Sequence, residues 1–164
     1  MGLRRKPEPV PGRVGVLLVN TGTPDAPTPR AVRRYLARFL MDRRIRPMNA
    51  LGWWLILHVG ILPKRGVASA EKYAAIWTDE GSPLAVTQAR LARGLDEWYR
   101  AEGADVVVRQ AMSYGQPTLP AALRELRAAG CARVVVLPLY PQSAFSTTGA
   151  ASDGVERALR RIRW

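Results

Sequence analysis

Two runs rich in β-branched residues, 105–111 and 133–137, flank a stretch that reads as helix, and this arrangement restricts the fold more than any other feature of the chain. The helix is expected from Thr118 to Ala129, with Gly130 closing it. Strand, crossover helix and strand in that order require parallel strands, and such crossovers are almost always right-handed. A third run, 14–20, is nearly continuously apolar and stops at Thr21-Gly22-Thr23-Pro24, the pattern of a strand buried on both faces. The expected class is therefore α/β, a flavodoxin-like parallel sheet with helices on both faces. In such a sheet the segments 21–27, 112–117 and 138–148 all leave at the C-terminal edge, where open α/β sheets bind their ligands.

The connection from the first strand to the second is far longer than one crossover helix needs, so it carries an insertion. Thr28 and Pro29 open a helix in which Val32, Leu36, Phe39 and Leu40 share a face and the intervening arginines face water. Ser82 and Pro83 open another, ending near Gly103, whose buried face is expected to hold Leu84, Leu91, Leu95 and Trp98. Residues 43–81 are the surplus. They contain Trp53, Trp54, the apolar run 51–62, Lys64, Arg65 and Tyr73, suitable for a helical lid over an amphipathic ligand. The apolar run is too short to cross a bilayer, which takes about 20 residues, but it can lie on one. After the third strand, 153–164 reads as a basic helix with no strand following. Three strands leave exposed edges, so the domain is expected to be truncated before its sheet is complete.

With 164 residues, one domain with a real core is expected. Pro7, Pro9 and Pro11 fall where a secretory signal would be apolar, and residues 1–13 read as a flexible basic arm. Cys131 is the one cysteine, which excludes an internal disulfide and a cysteine metal cluster, favours a reducing compartment, and suits a small buried residue. Lys and Arg total 25 against 13 Asp and Glu, a formal charge of +12 that attracts anions. Nucleic acid, acidic lipid and a carboxylated small molecule all match that charge, but no nucleic-acid recognition motif is present, so no nucleic-acid partner is expected.

Asn20 to Pro24 lacks the glycine spacing of a dinucleotide fingerprint and the Gly-Lys-Ser/Thr of a P-loop. It reads either as a tight turn or as a phosphate-binding one. In 137–149 a buried strand runs into two prolines and an aromatic, then a Ser/Thr/Gly run; as structure alone, the prolines stop the strand and Thr147 caps the last helix. His58, the one histidine, lies in the apolar run and is expected to be buried there. Asp42, Asp79, Glu80 and Asp153 are scattered, show no metal-ligand spacing and read as solvated surface carboxylates.

Leu137-Pro138-Leu139-Tyr140-Pro141-Gln142 with Ser146-Thr147-Thr148-Gly149, taken with four other segments, resembles the ferrochelatases in the family's own order. Those segments are Gly15 to Pro24; Arg33-Arg34-Tyr35-Leu36 with Phe39 to Arg44; Gly81-Ser82-Pro83-Leu84; and Met112-Ser113-Tyr114-Gly115. The resemblance covers almost the whole chain and implies the first of two similar chelatase-type domains, with the second absent. It implies a lyase of heme biosynthesis that inserts ferrous iron into protoporphyrin IX, or into coproporphyrin III. Iron is then a substrate and no cofactor is permanently bound.

Carried over by position, Thr21 lies on a face of the porphyrin, while Arg65, Tyr73 and Ser82 hold propionates or line the pocket mouth. Tyr114 and Gln142 line the macrocycle, Tyr140 packs, and Trp53 and Trp54 belong to an apolar lip that meets the membrane peripherally. A cytoplasmic protein, peripheral at the inner membrane face, is expected. The family's proton-accepting histidine and its accompanying glutamate sit in the second half. The resemblance therefore implies no catalytic and no metal-binding residue in this chain, which alone is expected to be inactive. A noncatalytic porphyrin- or heme-binding module remains an alternative, as does a flavin- or phosphate-binding domain of the same architecture.

Overall fold

A computed structural model of the chain describes residues 12–164, so the arm assigned to 1–13 lies outside the described residues except for Gly12 and Arg13. Three parallel strands, β1 (Val14–Asn20), β2 (Val106–Met112) and β3 (Arg133–Pro138), form a sheet in the order β2-β1-β3. Asn20 pairs with Met112, and Val19 with both Ala111 and Pro138, so the strands end level. Arg13 closes the opposite edge: its Nε donates to Asp105 Oδ1 at 2.6 Å and its Nη1 to the Ala129 carbonyl at 2.8 Å.

Strand β1 is central because it is apolar on both sides. Leu17, Leu18 and Val19 are fully buried. Leu17 and Val19, with Ala111, meet Leu119, Leu123 and Leu126 of α5 (Leu119–Ala128) and Ala151 and Val155 of α6 (Ala150–Ile162). On the other face Leu18 and Val108 meet Ala92 of α4 (Pro83–Ala101). The helices thus lie on both faces, as expected. Gly15 is small for a packing reason: a Cβ there would sit 3.1 Å from Leu126 Cδ2 and 3.3 Å from Cys131 Sγ. Cys131 is buried, and burial pushes its thiol pKa up.

Helix α4 starts after Ser82 as the sequence predicts, but the face it turns inward differs. Gln88 and Ala92 are buried, whereas Leu84, Leu91 and Trp98 are 38, 44 and 54 % exposed. Hydrogen bonds set this rotation. Gln88 Nε2 donates to the carbonyls of Leu18 and Ala111, both at 3.2 Å, and Asp96 Oδ1 accepts from the Val108 amide at 2.8 Å. The aspartate occupies a β2 donor, blunting that edge of the sheet. Strand β3 has no second strand partner among the described residues, and Val135 and Leu137 are exposed.

Helix α1 (Pro29–Leu40) is capped by Thr28, whose side chain accepts from Ala31 N at 3.3 Å. It packs against α3 (Leu62–Ile76), so α1 and the inserted helices form one layer. Between α1 and α3 lie α2 (Ala50–Leu55) and a π-helical turn, Ile56–Ile61. Gly66 allows the close approach of α1, since a Cβ there would collide with the Arg33 side chain. The last helix begins with a π-helical turn at Phe145–Gly149 that runs directly into α6. Thr147 does not cap it; its hydroxyl donates to the Ala144 carbonyl at 3.4 Å.

These orientations separate two substitutions by size. Leu123→Ala removes a fully buried side chain and should lower the unfolding free energy by about 2–5 kcal/mol in urea denaturation. Leu91→Ser, on the exposed flank of α4, should change it by no more than about 0.5 kcal/mol.

Candidate functional site

The three loops at the C-terminal edge are joined through their backbones. Ser113 N donates to Asn20 O at 2.9 Å, Tyr114 N to Thr21 O at 3.0 Å, and Leu139 N to Val19 O at 2.7 Å. Gly22 holds φ +107, and a Cβ on it would lie 3.0 Å from Gly115 N, so both the turn and the loop contact require glycine. Thr21 Oγ1 and the Tyr140 hydroxyl are 3.0 Å apart, linking the first and third loops by side chains. Tyr140 also packs on the core.

Behind this junction runs an aromatic wall. Tyr35, 8 % exposed, donates its hydroxyl to Gly22 O at 3.0 Å. Its ring stacks on Phe39 at 6.2 Å, and Phe39 meets Tyr114 edge-on at 5.3 Å. In the other direction Tyr35 meets Tyr73 at 6.4 Å, and Tyr73 meets Trp77 at 6.4 Å. The rings form a connected series that binds the lid to the strand loops, with Tyr35 buried at its middle and the rings on either side partly exposed. Burial raises the hydroxyl pKa of Tyr35, Tyr73 and Tyr114, so all three stay protonated at neutral pH. The Tyr114 hydroxyl is buried without a hydrogen-bond partner among the described residues.

Next to Trp77, a cleft of about 330 Å³ opens at the N-terminus of α4, lined by Thr23, Gly81, Ser82, Ala85 and Gln116. A tight turn shapes its mouth: Thr78 and Gly81 exchange backbone bonds of 3.0 and 2.9 Å, with Gly81 at φ +119. Ser82 is 4 % exposed at the N-cap, yet its side chain makes no capping bond, and Pro83 has no N–H. The first-turn amides of α4 thus have no side-chain partner. Thr23 is 6 % exposed, and its hydroxyl is buried without a partner among the described residues. The two carboxylates on the rim are compensated, Asp25 by Arg34 at 3.5 Å and Glu80 by Arg90 at 2.5 Å. The cleft thus brings together the N-terminal turn of α4, the neutral Ser82 side chain and the two ion-paired carboxylates of its rim.

The residues expected from sequence divide accordingly. Thr21, Tyr73, Ser82 and Tyr114 lie along this connected wall and cleft. Gln142 and Arg65 are exposed, and neither makes a side-chain hydrogen bond or ion pair among the described residues. Trp53 and Trp54 serve different ends. Trp53 Nε1 donates to Leu40 O at 2.7 Å and fastens α2 to α1, whereas Trp54 is 48 % exposed. His58 is not buried as expected: it is half-exposed, its ring stacked on Trp54 at 4.6 Å and its Nδ1 2.9 Å from Trp54 O. The apolar run is mostly exposed, with Leu51 at 82 % and Val59 at 71 %, and only Leu57 fully buried.

Tyr35, Phe39, Trp77 and Thr23 were not among the site residues expected from sequence. Tyr35/Phe39 and Tyr73/Trp77 share an i,i+4 spacing, a signal that two helices carry aromatic ladders. Asp42 and Asp153 also depart from expectation, because their side chains are only 8 and 20 % exposed. Among the described residues no three His, Cys, Asp or Glu side chains converge on a metal position. No described helix is long and apolar enough to cross a membrane. The family model described as Ferrochelatase matches residues 13–164 of the chain.

The Tyr35 bond to a buried carbonyl gives this wall a measurable strength. Tyr35→Phe should lower the unfolding free energy by about 0.5–1.5 kcal/mol in chemical denaturation.

Proposed function

The chain belongs to the ferrochelatase family, and from that premise we propose that it supplies the tetrapyrrole-binding surface for insertion of ferrous iron into protoporphyrin IX. Coproporphyrin III is the other substrate of the same chemistry. Membership carries the family-level activity, a metal-chelating lyase of heme biosynthesis with a porphyrin and iron as substrates. Support for the finer reading comes from one juxtaposition: an aromatic wall ending at Trp77, beside the cleft at the N-terminus of α4 that Trp77 also lines. A porphyrin has this duality, a flat apolar ring with propionates on one side.

In this reading Ser82, Thr23 and the α4 amides receive a propionate, Tyr73 and Tyr114 border the ring, and the Thr21 hydroxyl faces it. Arg65 and Gln142 sit on exposed segments from which they close on the ligand's rim. Metal insertion also removes two pyrrole protons, which calls for a base with a pKa near neutrality. The phenols of the wall remain protonated at that pH, and His58 is engaged with Trp54 on the lid. We therefore assign the described residues to holding and orienting the macrocycle, and no cofactor to the chain. Proton removal and iron delivery fall to groups outside this surface, so the chain alone is expected to bind porphyrin without turning it over. Exposed Met48, Leu51, Leu55, Ile56 and Val59, close in sequence to exposed Lys64 and Arg65, suit peripheral contact with a membrane from which a greasy substrate enters. This reading places the protein at the cytoplasmic face of that membrane.

Titrating the purified chain with protoporphyrin IX and with its dimethyl ester tests the carboxylate assignment. Ser82→Ala should weaken binding of the diacid by about tenfold, the value of one hydrogen bond to a charged group, and leave the ester unchanged. A response to flavin mononucleotide without any porphyrin Soret shift would overturn the reading.

A further inference from the structure

The turn after α1 and the start of α6 are clasped by crossed ion pairs. Arg44 donates to Asp153 through two bonds, Nε to Oδ2 at 2.7 Å and Nη2 to Oδ1 at 2.8 Å. Asp42 faces Arg157 at 3.7 Å, so the turn gives α6 one base and one acid and meets their complements four residues apart. Arg43 adds a longer contact to Asp153 at 3.6 Å. Asp42 Oδ1 also accepts the Arg44 amide at 2.8 Å, which holds the turn that carries both residues.

The same guanidinium grips the β3–α6 segment. Arg44 lies over the Phe145 ring at 4.3 Å, and a Cβ on Gly149 would stand 2.7 Å from its Nη1. Only arginine combines a two-point carboxylate bond with stacking on a ring. The segment needs an external hold, since residues 141–146 are all exposed. Arg44 draws the Asp153 carboxyl pKa down to about 2, with Arg43 and Arg157 adding to the effect while Glu156 and Asp42 flank the cluster. The lowered value means the pair is intact above the ordinary carboxylate range and is lost as pH falls from about 4 toward 2.

We propose that Arg44 is a positioning residue that fixes segment 139–149 against the lid, so that tetrapyrrole binding at the sheet edge depends on the Arg44–Asp153 pair. The segment carries Tyr140, whose hydroxyl meets Thr21, and Gln142, so its placement sets one wall of the site. This rests on the tetrapyrrole reading above.

The test uses the whole chain with two readouts, backbone hydrogen–deuterium exchange and protoporphyrin IX titration. Arg44→Ala should speed exchange in 139–149 by about tenfold or more, leave β1 protected, and weaken protoporphyrin binding by about tenfold. Asp153→Asn should act in the same direction, and Arg44→Lys should fall between Arg44→Ala and wild type in both readouts. Unchanged exchange in 139–149 on Arg44→Ala overturns the proposal, as does faster exchange there with undiminished affinity. A wild-type chain with no Soret shift overturns the tetrapyrrole reading, and the exchange result then still decides whether Arg44 holds the segment.

Discussion

The hydrogen-bond ladders on both sides of β1 are the constraint on which the rest of the structure depends. Because β2 and β3 run parallel to β1 and end level with it, three chemically different loops emerge at one edge. Backbone bonds among residues 19–21, 113–114 and 139 continue the ladders past the strand ends, so the loops behave as one surface. Burial of Leu17, Leu18 and Val19 on both faces makes a slip of register costly, which keeps that surface fixed.

On this platform the insertion is more than a cover. Helix α1 contributes the middle of the aromatic wall, Tyr35 and Phe39, and α3 contributes Tyr73. Two fastenings in and just after α1 hold the lid: the Tyr35 bond to the β1 loop and the Arg44 clasp on α6. The apolar side of α2 and its π-helical continuation faces solvent, whereas the rings of the wall come from α1 and α3. The helical layer thereby presents two different surfaces, built by different helices.

Much of this was legible in the sequence where the signal is local. Strand periodicity located β1 and, within a residue, β2 and β3; the N-cap positions Thr28 and Ser82 located the starts of α1 and α4, and the start expected at Thr118 agrees with that of α5. Where partners are distant in sequence, the reading failed for identifiable reasons. The rotation of α4 follows from Gln88 and Asp96 bonding to strand backbones, which a count of apolar positions cannot register. Asp42 and Asp153 looked solvated because their partners, Arg157 and Arg44, lie more than a hundred residues away. His58 looked buried because an apolar run was taken for an inward face, when most of that run points outward. Within the site, Ser82 carried a motif of its own, whereas Thr23 becomes visible only once α4 and the β1 loop share a cleft.

The central claim is that the C-terminal edge, from the β1 loop to the N-terminus of α4, is a seat for a carboxylated tetrapyrrole. Amide chemical-shift mapping of the isotopically labelled chain with protoporphyrin IX tests it most directly. The account predicts perturbations concentrated at Thr21, Thr23, Ser82, Leu84, Ala85 and Tyr114, with Gly103 and Gly130 at the opposite edge unmoved. Perturbations confined to the exposed apolar run of the lid, or centred on the opposite edge, would contradict it.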